Sequence, residues 1–195
     1  MEFVLVLFGY LLGSIPTGYI LGFLAGVDVR KAGSGNVGAT NVARVVGKRQ
    51  GLLTLVADAA KGFIPVFVSA QFGLSATAIA FVGVAAFLGH LFPVFLKFQG
   101  GKGVATALGV FLGLAPLASL ILILIFTVVI LSSRLVSLSS MTAAVLAPVA
   151  LWFFAYPPIL VAMSVFLAFM IILRHRGNIQ RLRDGTEPRF GSSSR

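Results

Sequence analysis

The sequence predicts an all-α, polytopic membrane bundle of about seven spans, and three observations predict it. Of 195 residues, 58% are hydrophobic and 10% are charged, where a soluble domain carries about 25% charged residues. The mean hydropathy is +1.06. The apolar residues gather in stretches of the length that crosses hydrocarbon as a helix, about 20 residues, and the polar segments between them hold most of the cations. At that span length no room remains for a separate soluble domain, so residues 1–195 are expected to form a single integral membrane domain.

Each element follows in order. Residues 3–24 are apolar, interrupted by Gly9, Gly13, Ser14, Pro16 and Thr17. The N-terminus, Met1-Glu2-Phe3, lacks a cationic n-region and a small-residue cleavage site, so this stretch is read as a retained first span. Residues 28–50 are polar and basic; 51–72 are apolar but contain Asp58 and Lys61. Residues 74–96 are apolar and run into Lys97-Phe98-Gln99-Gly100-Gly101-Lys102-Gly103. Residues 104–131 form one long apolar stretch, interrupted at Pro116. After Ser132-Ser133-Arg134 come the last two spans, 135–156 and 159–173, and a polar tail, 174–195.

The stretch 104–131 decides the topology. As one helix its 28 residues measure about 42 Å against about 30 Å of hydrocarbon; read as one tilted span, it gives six spans, with both termini on one side and Arg134 and the C-terminal arginines opposite the 28–50 loop. Read as a hairpin turning near Pro116, it brings the count to seven and places all 15 Lys and Arg on, or reaching into, one side, while the turns near Gly73, Pro116 and Pro157 carry no charge. The positive-inside rule prefers that arrangement, with the N-terminus outside and the C-terminus cytoplasmic. Half of the stretch is only about 21 Å of helix, short of a full span. With this topology the segments 28–50, 97–103 and 174–189 are expected on the cytoplasmic face.

Composition also excludes. Without cysteine there is no disulfide, thiolate nucleophile or Cys-based metal site. His90 and His175 are the only histidines and lie far apart, so no metal and no cofactor is expected. The formal charge of +10 is assigned to topology and anionic ligands, with no nucleic acid partner.

Three polar segments carry the chemistry. In Gly33-Ser34-Gly35-Asn36-Val37-Gly38-Ala39-Thr40-Asn41-Val42-Ala43-Arg44, closely spaced glycines let backbone N–H groups approach an anion. Ser34, Asn36, Thr40 and Asn41 add neutral hydrogen-bonding groups, and Arg44 adds a fork for phosphate or carboxylate. A merely solvated loop is the plainer reading; the regular placement of Asn, Thr and Arg after the glycines argues against it. The second segment runs from Gly89-His90 through Lys97 to Gly100-Gly101-Lys102-Gly103 and Thr106. A glycine turn with a lysine opening a helix binds phosphate through free N–H groups, the helix dipole and a point charge. It is not a Walker A loop, because Gly103 follows Lys102 and the upstream glycine is missing. On its own, a basic turn anchoring two spans to headgroups explains it equally well, and a lone His90 is more often a packed helix residue.

In the third segment Arg174, Asn178 and Arg181 recur at i, i+4 and i+7, one face if the helix continues; a basic stretch after a final span is usually just a topology signal. Asp58 and Lys61, at i and i+3 near mid-hydrocarbon, form either a functional pair or a structural ion pair. Ser137, Ser139 and Ser140 follow Arg134 as caps or packing residues, the preferred reading for Ser137, or as donors to a phosphate.

Together the segments resemble a known family. Ser-Gly-Asn-Val-Gly-Ala-Thr-Asn-x-x-Arg at 34–44, Gly-His-Leu-Phe-Pro…Lys-Phe-Gln-Gly-Gly-Lys-Gly-Val-Ala-Thr at 89–106 and Arg-His-x-x-Asn-Ile-x-Arg-Leu-x-x-Gly-x-Glu at 174–187 resemble, in order, the three motifs of the bacterial PlsY family, the acyl-phosphate:glycerol-3-phosphate acyltransferases. The resemblance covers essentially the whole chain; Gln99 departs from it, standing where many members carry lysine. It implies a seven-span inner-membrane enzyme with a cytoplasmic active site. Such an enzyme moves a fatty acyl group from acyl phosphate to the sn-1 hydroxyl of glycerol 3-phosphate, giving lysophosphatidic acid and inorganic phosphate, the first acylation of phospholipid synthesis.

That chemistry needs positioning, oxyanion stabilisation and deprotonation of the attacking hydroxyl, since phosphate leaves readily from a mixed anhydride. The candidate catalytic residues are Ser34, Lys102, His175, Asn178 and Glu187. The 100–103 loop with Lys102 is assigned to the acyl-phosphate headgroup, and Arg44, Arg174, Asn178 and Arg181 to glycerol 3-phosphate. Further substrate contacts are expected from Asn36, Gly38, Thr40, Asn41, Asp58, Lys61, His90, Lys97, Gly100, Gly101, Gly103, Thr106, Ser139 and Ser140. The base stays open among His175, Asp58, Glu187 and a substrate phosphate oxygen, whose second pKa of about 6 favours it. The His-x-x-x-x-Asp motif of soluble-type glycerolipid acyltransferases is absent: Phe95 and Gln180 stand fifth after the two histidines. The expected partners are acyl phosphate, glycerol 3-phosphate and the bilayer, with no obligate protein. The alternative from another class is a transporter or exchanger of an organic phosphate. No inverted repeat is visible, and one-sided polar chemistry suits an enzyme better.

Overall fold

The computed structural model describes residues 1–191. The final 192–195, which include Arg195, lie outside the described residues. The regular elements of the described residues are helical, and the chain divides into two compact units, Met1–Leu114 and Ala115–Arg195.

The first unit contains α1 (Glu2–Ser14), α2 (Thr17–Leu24), α3 (Ala39–Val45), α4 (Lys48–Gln71), α5 (Ala76–Leu91), a 3₁₀ turn (Val94–Leu96) and α6 (Val104–Leu114). Pro16 sets the break between α1 and α2. It has no N–H to continue the ladder and pushes the preceding residue out of the helical region; Ile15 sits at φ −62°, ψ 115°. The Ile15 carbonyl therefore leaves the helical pattern.

Small residues set how closely these helices approach. A Cβ at Gly13 of α1 would strike the Ala86 carbonyl of α5, and one at Gly109 of α6 would strike the Ala59 carbonyl of α4. In hydrocarbon, where burial supplies little drive between helices, such close backbone contact supplies the packing. Gly13→Ala is expected to destabilise the protein by about 1–3 kcal/mol through overpacking. Equilibrium unfolding in detergent checks it against Gly177→Ala, whose Cβ meets only an ordinary contact.

The basic segment after α2 is not simply polar. Val29, Val37 and Val42 are buried with Leu96 of the 3₁₀ turn, and Tyr19, Val45 and Val46 pack on them. This small core holds the first two signature segments together. Burying each valine contributes about 1.5–3 kcal/mol.

The second unit contains α7 (Pro116–Ser133), α8 (Val136–Phe153), α9 (Pro158–Arg174) and α10 (Arg176–Arg183). α8 packs against both α7 and α9. Leu117, Leu120, Leu124, Val128 and Leu131 of α7 are exposed, an apolar surface that hydrocarbon solvates.

Five helices among the described residues, with α1 and α2 counted together, are long and apolar enough to cross a membrane; α9 with α10, bent by 58°, makes a sixth. The stretch 104–131 does break near Pro116, at Ala115, but into unequal arms of 11 and 18 residues. The first, about 16 Å long, is too short to span by itself.

Candidate active site

In the first unit Asn41 organises the glycine-rich segment from within. It is 2% exposed. Its Oδ1 accepts from the Ser34 N–H at 2.8 Å, and its Nδ2 donates to the carbonyls of Val29 (3.0 Å), Ala32 (3.1 Å) and Asn36 (2.8 Å). This amide, expected on substrate, is engaged by the loop backbone. Asn36 Oδ1 likewise accepts from the Gly38 N–H at 2.8 Å. The frame leaves the side chains of Ser34, Thr40 and Arg44 exposed to a ligand. Arg30, beside them, is held bidentate by Asp28. The Arg30 hydrogen bond outweighs the small effect of burial and draws the Asp28 carboxyl down to about 2.

The second segment is wrapped onto the end of α5. Phe98 N–H donates to Pro93 O, Gln99 N–H to Leu96 O, Gly100 N–H to Leu91 O and Gly101 N–H to His90 O, all between 2.9 and 3.1 Å. Lys97 and Phe98 turn the chain at φ 52° and 61°. The glycines are required twice over. A Cβ on Gly101 would collide with the His90 ring, and one on Gly103, at φ +81°, with the Phe87 ring. The loop then enters α6, whose first N–H groups have no intrahelical acceptor. Lys102 is half-buried here and Lys97 exposed. Thr106 Oγ1 is buried and has no hydrogen-bond partner among the described residues.

Asp58, Lys61 and His90 are brought together behind this loop. Lys61 Nζ lies 2.5 Å from Asp58 Oδ1 and donates to the Ile15 carbonyl at 2.7 Å. His90 Nδ1 is 3.7 Å from the same Asp58 oxygen.

In the second unit the tail folds back onto α8, and Phe190 N–H donates to Arg134 O at 2.6 Å. Glu187 accepts three side-chain hydrogen bonds: Ser137 Oγ at 2.7 Å and Asn178 Nδ2 at 2.6 Å on one oxygen, Arg181 Nε at 2.7 Å on the other. Burial by itself would raise its pKa; the three hydrogen bonds and the Arg181 charge outweigh burial and hold the carboxyl below its ordinary value. Ser137, read from sequence as a cap or packing residue, is thus a partner of a residue 50 positions away. No local pattern signals a contact of that separation. Ser139 and Ser140 donate back to the carbonyls of Leu135 and Val136, the usual habit of helical serines.

The straight face expected for Arg174, Asn178 and Arg181 does not form. The helix ends at Arg174 and restarts at Arg176. At the bend the His175 N–H is shared by the Ile171 and Ile172 carbonyls, and its Nδ1 lies 2.8 Å from Ile171 O. Asn178 and Arg181 keep a common face through Glu187; Arg174 lies across the bend. With a carbonyl at 2.8 Å, Nδ1 is a ring nitrogen that donates.

A family model described as glycerol-3-phosphate acyltransferase matches residues 3–185. A protein of that name from Geobacter metallireducens is 55% identical over 190 residues, covering 97% of this chain and 98% of the relative. One from Geotalea daltonii is 50% identical over 189 residues, covering 97% of each. The fold superposes on a crystal structure of PlsY, an integral membrane glycerol 3-phosphate acyltransferase in its glycerol 3-phosphate form, with TM-score 0.94 and 46% identity, covering 97% of this chain and 96% of that one. Its lysophosphatidic acid form matches with TM-score 0.91, at 97% and 95% coverage. With matches of this length and identity in both sequence and fold, the chain belongs to the glycerol-3-phosphate acyltransferase family, in its integral membrane PlsY form.

Proposed function

We propose that this protein transfers a fatty acyl group from acyl phosphate to the sn-1 hydroxyl of glycerol 3-phosphate, releasing lysophosphatidic acid and inorganic phosphate at the cytoplasmic face of the inner membrane. The observation that carries the donor assignment is the loop 100–103: a glycine backbone stapled to α5, a half-buried Lys102 and the opening N–H groups of α6. That combination suits a compact phosphate headgroup on the acyl donor. The placement at the cytoplasmic face rests on the one-sided cations and the positive-inside rule.

In this reading Lys102, Thr106 and the opening N–H groups of α6 receive the acyl-phosphate headgroup, while Gly100, Gly101 and Gly103 shape the loop: the Gly100 and Gly101 N–H groups, expected free for phosphate, are engaged by the Leu91 and His90 carbonyls. In the first unit Arg44, with Ser34 and Thr40, is the candidate for the phosphate of glycerol 3-phosphate; in the second unit Arg174 and Arg181, with Asn178 and His175, are the candidates. Of the side chains weighed as base, Glu187 suits the task poorly, because a carboxylate held below its ordinary pKa by three donors is a weak proton acceptor. Asp58 is committed to Lys61. The substrate's own phosphate, with a second pKa of about 6, takes the hydroxyl proton while the hydroxyl oxygen attacks the acyl carbon and the donor's phosphate departs.

The test is phosphate release by the purified protein in lipid, given palmitoyl phosphate with and without glycerol 3-phosphate, with palmitoyl-CoA as comparison donor. Release that depends on glycerol 3-phosphate, together with lysophosphatidic acid, is expected. Turnover from palmitoyl-CoA alone would overturn the donor assignment while keeping acyl transfer.

A further inference from the structure

We infer that Asp58, Lys61 and His90 are positioning residues. They form a buried hub that fixes the break between α1 and α2 and, through His90, the backbone of the 100–103 loop. The inference rests on the proposed assignment of that loop to the acyl-phosphate headgroup.

The hub is closed to substrate. Asp58, Lys61 and His90 are 2%, 5% and 7% exposed. The cavity beside them, lined also by Ser14, Ile15 and Thr17, measures about 10 Å³, room for one water molecule and none for a phosphate. Lys61 is instead satisfied from within, by Asp58 and by the Ile15 carbonyl. Pro16 is what makes that carbonyl available. An ammonium and a carboxylate this deep are costly unless they meet each other and further polar groups, so the cluster has a single low-energy arrangement. That arrangement locks α4 onto the α1–α2 break.

His90 carries the arrangement to the loop. Its Nδ1 faces Asp58 at 3.7 Å. The other edge of the ring lies where a Cβ on Gly101 would be, and its own carbonyl receives the Gly101 N–H at 3.1 Å. Leu91, next in the helix, receives the Gly100 N–H. Rotation of the His90 ring therefore presses on Gly101 and, through the chain, on Gly100 beside it.

The test uses the full chain in lipid nanodiscs, with His90→Phe, His90→Asn and His90→Gln. Phe keeps ring volume and removes both nitrogens; Asn restores a polar group near the Nδ1 position and Gln near Nε2. Hydrogen exchange of the Gly100 and Gly101 amides is expected to quicken tenfold or more in His90→Phe and His90→Gln and to recover in His90→Asn, with α8 amides unchanged. In the same variants KM for palmitoyl phosphate is expected to rise tenfold while KM for glycerol 3-phosphate stays within twofold. Unchanged loop exchange, or recovery by Gln rather than Asn, would overturn the inference. So would an equal rise in both KM values. Failure of the donor assignment shows separately, as absence of palmitoyl phosphate turnover by the wild type, and the exchange measurement then decides the positioning role alone.

Discussion

Asn41→Ala is expected to cut acyl transfer to roughly 1% of wild type, since a displacement of about 1 Å in a positioned group costs about 10²-fold. The side chain accepts one N–H and donates to three carbonyls at 2.8–3.1 Å; its removal takes the partner from the Ser34 N–H and from the Val29 and Asn36 carbonyls, while Ala32 O still accepts the Gly35 N–H. An unsatisfied buried group costs about 1–3 kcal/mol. Part of this exposed segment can turn to water instead, so a stability loss of about 2 kcal/mol is expected. Activity suffers more than stability because the same backbone sets the directions of Ser34 and Asn36. Asn41→Asp is the informative companion. It keeps the acceptor for Ser34 and loses the donor, leaving a carboxylate against carbonyl oxygens. Both variants are measured by denaturant unfolding in detergent and by phosphate release. Full activity in Asn41→Asp would show that the donated hydrogen bonds do not hold the segment.

Glu187→Gln is expected to lower kcat/KM by ten- to a hundredfold, through misplacement of Asn178 and Arg181. It should do so without the loss of a pH-rate limb that removal of a general base would produce. Glu187 also makes a signed contribution to stability. Its folded pKa lies below the ordinary carboxylate value of 4.5. Between the two values the unfolded state binds more protons than the folded state, so stability rises with pH there. The contribution is fully present above pH 4.5 and disappears as pH falls through the folded pKa. Glu187→Gln should therefore be less stable than wild type at pH 6 and converge on it in acid. A stability difference that persists or widens in acid would contradict the network; a lost basic limb in the rate profile would instead restore Glu187 as the base.

How much of the site was legible depends on how far apart in sequence its partners lie. The turn at 100–103 that opens a helix could be read because its parts are local: glycines, a lysine and a helix start within a few residues. The Asp58–Lys61 pair was legible for the same reason, as an i, i+3 contact on one helix face. The bend at His175 was not. Nothing in a basic run after an apolar helix says whether the axis continues, and here the answer depends on how one N–H is shared between two carbonyls. Ser137 and Glu187 were linked only by folding, because a hydrogen bond across 50 positions leaves no periodic trace.

The glycines of the spans show the same division. Gly9 and Gly13 interrupt an apolar stretch in sequence and look like weaknesses of the helix. In the fold Gly13 is where the α5 backbone comes closest, with no space for a methyl group. Val29, Val37 and Val42 likewise pass for incidental apolar residues in a basic segment until Leu96 completes their core.

By itself the sequence determined that this is a helical membrane protein, which stretches are apolar enough to enter hydrocarbon, where its cations concentrate and which family it resembles. These properties are sums over composition and short-range pattern, and neither needs a partner. Only the tertiary structure decided that Asn41 and Glu187 engage protein groups, that α6 is short while α7 is span-length, and that Lys61 answers to a carbonyl released by Pro16. The helix lengths aside, each of these is a choice of hydrogen-bond partner that only packing brings within 3 Å or so. In a buried polar group that choice is worth more than any local preference.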